Sequence, residues 1–306
     1  MVTLTLDHER VRTSAGLLDD SRRGKLRLEG AEAAEFLQGQ LTNDIEGLEP
    51  GQGCYAALLT HKGKLRADMR VLRGPDWILV DTEPLGLASV LHTVRVYSLG
   101  RDVRSADVTR TTAILSLLGP ASDDALETAP PAEEHAWIEG RHGLYVRTLH
   151  GVDVICPADE VEGVRVALGV EDASTEAAEC LRIEAGRPRL GVDLDADTIP
   201  QEAGLNERAV SFTKGCYVGQ ETVARLFYKG KPNRHLRGLR LDGEAQTGAT
   251  LRLGGRVVGR TGSVCVSPVH GPIALALLRR EAEPGARVDI EGGGRAEVAA
   301  LPFSRS

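Results

Sequence analysis

Residues 214–221 read Lys-Gly-Cys-Tyr-Val-Gly-Gln-Glu and form the most unusual segment of this 306-residue chain. Their two glycines permit positive φ and close backbone approach, which predicts a sharp turn that presents the thiol of Cys216. The ammonium of Lys214 favours the thiolate of a neighbouring cysteine, and a helix that begins near Gln220 acts in the same direction. The same residues also fit a plain turn with a buried cysteine and a packed tyrosine, because free cysteine is commonly a small buried hydrophobe.

Nucleophilic catalysis by this cysteine would require a general base as well as a thiol. The nearest histidine in the sequence is His235, and none of the eight histidines lies close to the motif. The sequence therefore does not favour a cysteine hydrolase.

A second informative stretch, residues 181–193, precedes the cysteine motif. We predict a helix over residues 174–185, with Ser174 as its N-cap and Gly186 and Pro188 as its end signals. Glu184 then lies at the helix C-terminus, where a carboxylate opposes the helix dipole by about 0.3–1 kcal/mol. An ion pair with a nearby arginine explains this placement, and so does a carboxylate that faces a cleft and accepts paired N–H donors.

The hydrophobic pattern predicts three regions of different texture. Strand and helix patterns alternate up to about residue 110, with a hairpin over 54–72 that turns near Gly63 and a helix over 84–97. A second mixed region follows over 111–230. From 231 to 306 the chain shows short strand patterns separated by Gly and Pro, which indicates a small barrel or sandwich. The predicted fold class is therefore α+β, with two mixed lobes and a C-terminal all-β domain.

Composition and charge exclude several classes of protein. Apolar residues make up 42% of the chain and the net charge is −7, so the chain is globular and electrostatic capture of nucleic acid is not expected. We find no apolar run of membrane-spanning length and no signal peptide in the first ten residues, so a soluble cytoplasmic protein is predicted. The five cysteines are scattered, which predicts reduced thiols and no metal site.

Three segments together resemble the YgfZ-type folate-binding proteins, which are relatives of the glycine cleavage T-protein (aminomethyltransferase). The cysteine motif within residues 211–221 is the most specific of them, and Arg225 and Gly230 follow it. Residues 36–45, Phe-Leu-Gln-Gly-Gln-Leu-Thr-Asn-Asp-Ile, resemble the N-terminal helix of the same group. Residues 181–193 resemble the stretch that supplies the T-protein's pterin-binding glutamate, and Pro200-Gln201-Glu202 also matches.

This resemblance implies three lobes around a central site for tetrahydrofolate or a one-carbon-substituted derivative. Glu184 is the position that matches the pterin-binding carboxylate, and such a pairing is chemically sensible because the pterin edge carries a pair of N–H donors. Arg225 and Arg234 are the candidates for the anionic glutamyl tail. Tyr217 and Gln220 of the cysteine motif complete the predicted folate-binding set.

The chain departs from the aminomethyltransferase at one pair of positions. Where the transferase carries two adjacent acids, this sequence has Ala67 and Asp68. The loss of one carboxylate argues against aminomethyl transfer, which must handle protons at the folate. Asp68 remains a candidate catalytic residue together with Cys216 and Lys214, although an isolated aspartate on a strand is more often solvated.

The resembling family is linked to assembly or repair of iron–sulfur clusters, with folate as a required ligand. The resemblance therefore implies a folate-binding accessory protein that acts on iron–sulfur client proteins through Cys216. A folate-dependent one-carbon transferase is the alternative, and a scaffold that kept the fold and lost the ligand is the third hypothesis.

Overall fold

The computed structural model describes residues 2–304 and contains three bodies, two mixed lobes and a barrel. In chain order, the helices and strands that build the two lobes are α1 (Val2–Thr13), β1 (Gly16–Asp19), β2 (Gly24–Glu29), α2 (Ala33–Gln40), β3 (Gly53–Leu59), β4 (Leu65–Arg73), β5 (Trp77–Thr82), α3 (Pro84–Tyr97), β6 (Arg104–Asp107), β7 (Thr112–Leu118), β8 (Trp137–Gly140), β9 (Gly143–Thr148), β10 (Gly151–Pro157), α4 (Val161–Leu168), α5 (Thr175–Glu184), α6 (Asn206–Ala209) and α7 (Gln220–Lys229). The barrel strands are β11 (Arg234–Leu241), β12 (Thr250–Leu253), β13 (Arg256–Ser267), β14 (Gly271–Arg279), β15 (Arg287–Ile290) and β16 (Arg295–Ala299).

The first lobe is a five-stranded sheet in the order β3-β4-β5-β2-β6, covered on one face by α2 and α3. The predicted hairpin is present, because β3 and β4 pair antiparallel around Gly63, whose φ of +76° favours glycine. The predicted helix over 84–97 is confirmed, with Pro84 in its first turn, where a proline costs no hydrogen bond.

The second lobe is a five-stranded sheet in the order β1-β7-β10-β9-β8. Here the structure differs from the predicted limits, because β1 pairs with β7 although it lies in the first 20 residues. Helix α1 also packs on α5, through Val11 against Ala177 and Leu181. The N-terminal segment therefore crosses to the second lobe, and the predicted range 1–110 is not one structural unit.

The predicted range 111–230 also divides in the structure. Residues from Leu190 to Val223, which include Tyr217, share a core with Ala57, Leu59 and Leu65 of the first lobe. The cysteine motif is therefore attached to the first sheet rather than to the second. Sequence order did not show this, because the apolar positions of a loop do not specify which lobe covers them.

The C-terminal domain is a closed six-stranded barrel in the order β11-β14-β13-β12-β15-β16, so the predicted α+β class with an all-β end is confirmed. Its interior is filled by small and branched apolar side chains, among them Leu239, Leu251 and Ala276. Among residues 2–304, no helix is both long enough and apolar enough to cross a bilayer.

Candidate functional site

Two cavities lie beside strand β4 of the first lobe, and together they are called the hollow. The inner cavity, of about 250 Å³, separates the first lobe from the second and is lined by residues 18, 20, 22, 23, 55, 70, 81, 116, 118, 134, 135, 148–150, 153, 175, 178, 179, 182, 187, 189 and 208. The outer cavity, of about 1040 Å³, separates the first lobe from the barrel and is lined by residues 60, 65, 66, 85, 89, 190–196, 234, 247, 248, 257–262, 277 and 279. Together they border all three bodies of the molecule.

Strand β4 passes from one cavity to the other. Side chains alternate along a strand, so Asp68 and Arg70 share one face. A register shift opposite Leu58 and Leu59 brings Leu65 onto that same face, whereas Arg66 donates to Thr93 of α3 on the other side of the sheet. On this face Leu65 lines the outer cavity and Arg70 lines the inner one, so Asp68, which lines neither, lies between them. Asp68 is only 2% exposed, so the expectation of a solvated aspartate was wrong: the bodies that face the first sheet cover it.

Asp68 has one oxygen that is hydrogen-bonded and one that is not. The phenol of Tyr55 donates to Oδ2 at 2.7 Å, whereas Oδ1 is buried without a hydrogen-bond partner. Burial raises the pKa of this carboxyl above its ordinary value, and the bond from Tyr55 lowers it only in part. A buried carboxyl with a raised pKa and an unused oxygen is suited to exchange protons with a bound ligand.

The alanine at position 67 takes no carboxylate away from the side of the sheet where the cavities lie. Ala67 is fully buried in the core of the first lobe, beside Met69 and Val71 and on the opposite side of β4 from Asp68. A Cβ added at Gly86 of α3 would lie 3.0 Å from the Ala67 Cβ, so this position faces the helix. The argument against aminomethyl transfer from Ala67 is therefore wrong, because the acid that remains, Asp68, is the one on the face of β4 that carries Arg70 and bonds Tyr55.

A buried charge network supports the wall of the inner cavity. Asp81 accepts from Arg70 Nε at 2.6 Å and from Arg23 at 2.7 Å, and Arg70 also bonds Asp153 of the second lobe at 2.7 Å. Although burial acts to raise the pKa of Asp81, the two guanidinium groups hold it at about 2. Asp81 is therefore ionised at neutral pH and ties the two lobes together through Arg70.

The inner cavity concentrates polar atoms that lack hydrogen-bond partners. Six buried side-chain atoms without a partner belong to residues that line it, namely Arg70 Nη2, His135 Nδ1, His150 Nε2, Arg187 Nη1, Arg189 Nε and Arg208 Nε. Buried polar groups in folded proteins are nearly always hydrogen-bonded, so this cluster requires an explanation. Four of the six are guanidinium N–H donors, so the cavity is suited to a ligand with several acceptor oxygens or nitrogens.

The cysteine motif contacts residues 36–45, the other segment of the family resemblance that lies on the first lobe. Nζ of Lys214 donates to the carbonyl oxygens of Gln38, Leu41 and Asn43 at 2.6, 2.7 and 2.7 Å. The Val218 N–H donates to the Gly39 carbonyl at 3.2 Å. Burial lowers the pKa of Lys214 to about 8, which leaves it an ammonium at neutral pH. All three ammonium N–H groups donate to these carbonyls. Lys214 therefore anchors the motif loop and is not placed to act as a catalytic group.

The motif loop presents Cys216 to solvent. Its thiol is exposed, which excludes the alternative of a buried structural cysteine. Helix α7 begins at Gln220 as predicted, after Gly219 at φ +88°, where a Cβ would lie 2.5 Å from the Thr60 carbonyl oxygen. Tyr217 is buried below the loop, with the Lys214 ammonium 5.2 Å from its ring centroid. Neither Tyr217 nor Gln220 lines the inner or the outer cavity, and their assignment to folate stays a prediction.

Glu184 is the last residue of α5, as predicted, and both of its oxygens have partners. Oε1 accepts from His8 Nε2 at 2.9 Å and from Ser267 Oγ at 2.5 Å, and Oε2 accepts from Arg12 at 3.3 Å. Burial would raise its pKa, but the bonds from His8 and Ser267 lower it. Glu184 borders a further cavity of about 720 Å³, which shares His150 with the inner one. Its assignment to the pterin stays a prediction.

The two arginines predicted for the glutamyl tail have different surroundings. Arg234 lines the outer cavity, but its guanidinium donates to both carboxylate oxygens of Glu202 at 3.2 and 2.8 Å. Arg225 is exposed on α7 and is not among the described residues that line either cavity. Three further arginines line the outer cavity, Arg66, Arg260 and Arg279, and none of them has an ion-pair partner within residues 2–304. Sequence reasoning missed them because arginine is abundant throughout the chain.

Sequence reasoning also missed Tyr55 and His135. Their rings lie offset and nearly parallel, with centroids 6.0 Å apart, and the guanidinium of Arg208 lies 4.7 Å from the Tyr55 centroid on the inner cavity. Two local signals exist at His135, a positive φ and an unpartnered Nδ1, but both are properties of the folded chain. Within the described part of the chain, no group of three or more His, Cys, Asp or Glu side chains is placed to hold a metal ion.

Comparison with known proteins matches both ends of the chain to one family. Residues 3–156 match the GCVT N-terminal domain, and residues 234–304 match the glycine cleavage T-protein C-terminal barrel domain. The aminomethyltransferase of Rubrobacter xylanophilus is 30% identical over 98% of this chain and 86% of its own length. That of Streptomyces coelicolor is 30% identical over 97% and 88%.

A solved structure shows the same arrangement of lobes. The crystal structure of glycine cleavage system aminomethyltransferase T from Bartonella henselae is 25% identical, with a TM-score of 0.88 over 99% of this chain and 90% of that one. Two mixed lobes and a closed barrel around an arginine-rich hollow define a T-protein-like protein. This chain belongs to the glycine cleavage T-protein family.

Proposed function

We propose that this protein binds tetrahydrofolate in the hollow beside β4 and transfers a one-carbon group, of the aminomethyl type, at Asp68. Tetrahydrofolate is the one-carbon carrier of the aminomethyltransferase family, to which the chain is related over nearly its whole length. The observation that carries the proposal is Asp68 itself, buried between two cavities with Oδ1 free of any hydrogen bond.

The hydrogen-bonding groups of the hollow match the ligand. Tetrahydrofolate carries ring and amide carbonyl oxygens and two carboxylates, which are acceptors for the guanidinium nitrogens that lack a hydrogen-bond partner, Arg70 Nη2, Arg187 Nη1 and Arg208 Nε. Its ring N–H groups are donors for an acceptor such as Asp68 Oδ1. The cluster of buried polar atoms without hydrogen-bond partners favours a ligand-binding protein over the third hypothesis, a scaffold that has lost its ligand.

The chain's own groups then account for the proton chemistry. When the aminomethyl carbon bonds both folate amines, its bonds to the donor and to its own nitrogen break, and the two protons lost by the folate nitrogens leave with the donor group and with ammonia. We assign to Asp68 the proton that passes from a folate nitrogen to the leaving amine. The raised pKa of Asp68 allows it to take and return that proton, while Tyr55 fixes the orientation of its carboxyl group. The ionised Asp81, held by Arg70 and Arg23, keeps the wall of the cavity in place.

The test is a turnover assay with tetrahydrofolate and an aminomethyl donor, in which formation of methylenetetrahydrofolate is followed. Wild-type protein is expected to turn over, and Asp68→Asn is expected to lose about 10²–10⁴-fold in rate, the usual contribution of a general acid–base. Asp124→Asn, which changes an exposed carboxyl in the second lobe, is the matched control. Saturable folate binding without turnover would contradict the transferase proposal.

A second candidate function is favoured by Cys216. Its exposed thiol stands on a loop that Lys214 fastens to the first lobe, and such a thiol is available to a partner protein. This placement supports the YgfZ-type interpretation of a folate-dependent accessory protein for iron–sulfur enzymes. Cys216→Ser separates the two: loss of activity in a cluster-maturation assay with retained folate binding supports the accessory role, whereas unchanged maturation excludes the thiol from it.

A further inference from the structure

His135 has an unusual backbone for its side chain. Its φ of +75° is the only positive value outside glycine among the described residues, a conformation that costs an ordinary residue about 1–3 kcal/mol. Such a conformation persists only where the surrounding structure imposes it.

Neighbouring hydrogen bonds impose that conformation. The His135 N–H donates to the Arg147 carbonyl within the second lobe at 2.9 Å. Two residues later, Trp137 donates from its backbone to Gly51 at 2.8 Å and from its indole to Gln52 at 3.2 Å, both in the first lobe. The segment that carries His135 is therefore fixed to both lobes at their boundary.

The imidazole of His135 borders the inner cavity. It lies against the Tyr55 ring, and Tyr55 in turn holds Asp68. Nε2 lies 3.8 Å from Glu134 Oε1, whereas Nδ1 is buried without a hydrogen-bond partner. Burial and the charge of Arg70 lower the pKa of His135 to about 4, so the ring is neutral at physiological pH.

We propose that His135 is a ligand-binding residue of the inner cavity, and that its Nδ1 makes a hydrogen bond to the polar ring edge of the bound reduced folate. The inference rests on the proposed function for the identity of the ligand. A neutral imidazole donates or accepts at Nδ1 according to its tautomer, so it pairs with a ring nitrogen, N–H or carbonyl without placing a further charge in the cavity. The strained backbone is the structural cost of directing the ring toward that ligand.

The experiment compares His135→Gly with Glu133→Gly, an exposed position in the same loop that lines neither cavity. Glycine adopts φ +75° without strain, so His135→Gly is expected to keep or raise the midpoint of thermal unfolding. In calorimetric titration with tetrahydrofolate its dissociation constant is expected to rise at least tenfold. Glu133→Gly is expected to bind like wild type and to unfold at the same or a slightly lower temperature.

A third variant tests the hydrogen bond. Asparagine, like histidine, is among the residues that tolerate positive φ, and it retains a polar group, so His135→Asn is expected to recover part of the affinity. Binding of tetrahydrofolate by His135→Gly within twofold of wild type would overturn the inference while leaving the proposed function intact. A larger fall in midpoint than Glu133→Gly shows would identify a packing residue and also overturn it. Wild-type protein that gives no heat with tetrahydrofolate would instead overturn the proposed function, and this ligand for His135 with it.

Discussion

Tyr55 and Asp68 form a hydrogen-bonded pair in which the phenol oxygen lies 2.7 Å from Oδ2 of the buried carboxyl. The two residues come from the adjacent antiparallel strands β3 and β4, and the contact leaves Oδ1 free between the cavities. The pair therefore fixes the direction of the one carboxyl group to which the proposed chemistry is assigned.

Tyr55→Phe removes this hydrogen bond and preserves the ring that stacks on His135. The bond from Tyr55 lowers the pKa of Asp68 against the effect of burial, so its loss is expected to raise that pKa further. The acid limb of the pH–rate profile for one-carbon transfer should then move to higher pH. Tyr145→Phe breaks a similar bond to Glu127 outside both cavities and should leave the profile in place, and an unmoved limb in Tyr55→Phe would contradict the pairing.

Asp81→Asn is expected to lower the free energy of unfolding by about 3–5 kcal/mol at pH 7, because two buried guanidinium groups lose their anion. The pKa of Asp81 lies at about 2, below its ordinary value, so its contribution is complete above about pH 4 and is lost as the pH falls through 2. Urea unfolding at pH 7 and at acid pH measures this, and the difference between the two proteins should shrink toward pH 2. A difference that stays constant with pH would show that the network does not depend on the charge of Asp81.

Lys214→Met is expected to destabilise the protein by about 3 kcal/mol, since three backbone carbonyls lose their donor at once. Thermal unfolding measures the loss, and Lys229→Met at the exposed end of α7 is the control. Equal midpoints for the two variants would mean that the motif loop does not depend on Lys214.

Glu184→Gln tests the carboxylate that the family resemblance assigns to the pterin. The substitution is expected to weaken tetrahydrofolate binding by about 1–3 kcal/mol, the value of a charge-assisted hydrogen bond. Calorimetry measures the affinity and thermal unfolding measures the stability. Wild-type affinity with a lowered midpoint would make Glu184 a structural residue, as its bonds to His8 and Ser267 already allow.

The sequence predicted the local elements well and the contacts between them poorly. Helix α3, the β3–β4 hairpin and the Ser174 cap follow from local rules, since proline, glycine and hydrophobic period act within a few residues. Lys214 was misassigned for the opposite reason. Its neighbour in sequence is Cys216, but its partners are carbonyls more than 170 residues away.

The cleft residues show the same limit. In the sequence, Ala67 and Asp68 look like an acidic pair that has lost one acid. Side chains alternate along the strand, however, so Ala67 lies in the core and Asp68 lies on the opposite face. His135 had no sequence signal, because its positive φ and unpartnered nitrogen arise only where the two lobes meet.

The central claim is that the hollow beside β4 takes up a reduced folate next to Asp68. Calorimetric titration of tetrahydrofolate into wild-type protein and into Asp68→Asn tests it most directly, with thermal unfolding measured on both. We expect saturable one-to-one binding to wild type, weaker binding to Asp68→Asn, and an unfolding midpoint for that variant that is unchanged or higher, because the raised pKa of Asp68 means that its ionisation opposes folding as pH rises. No heat with wild-type protein, or identical affinities for the two proteins, would contradict the account.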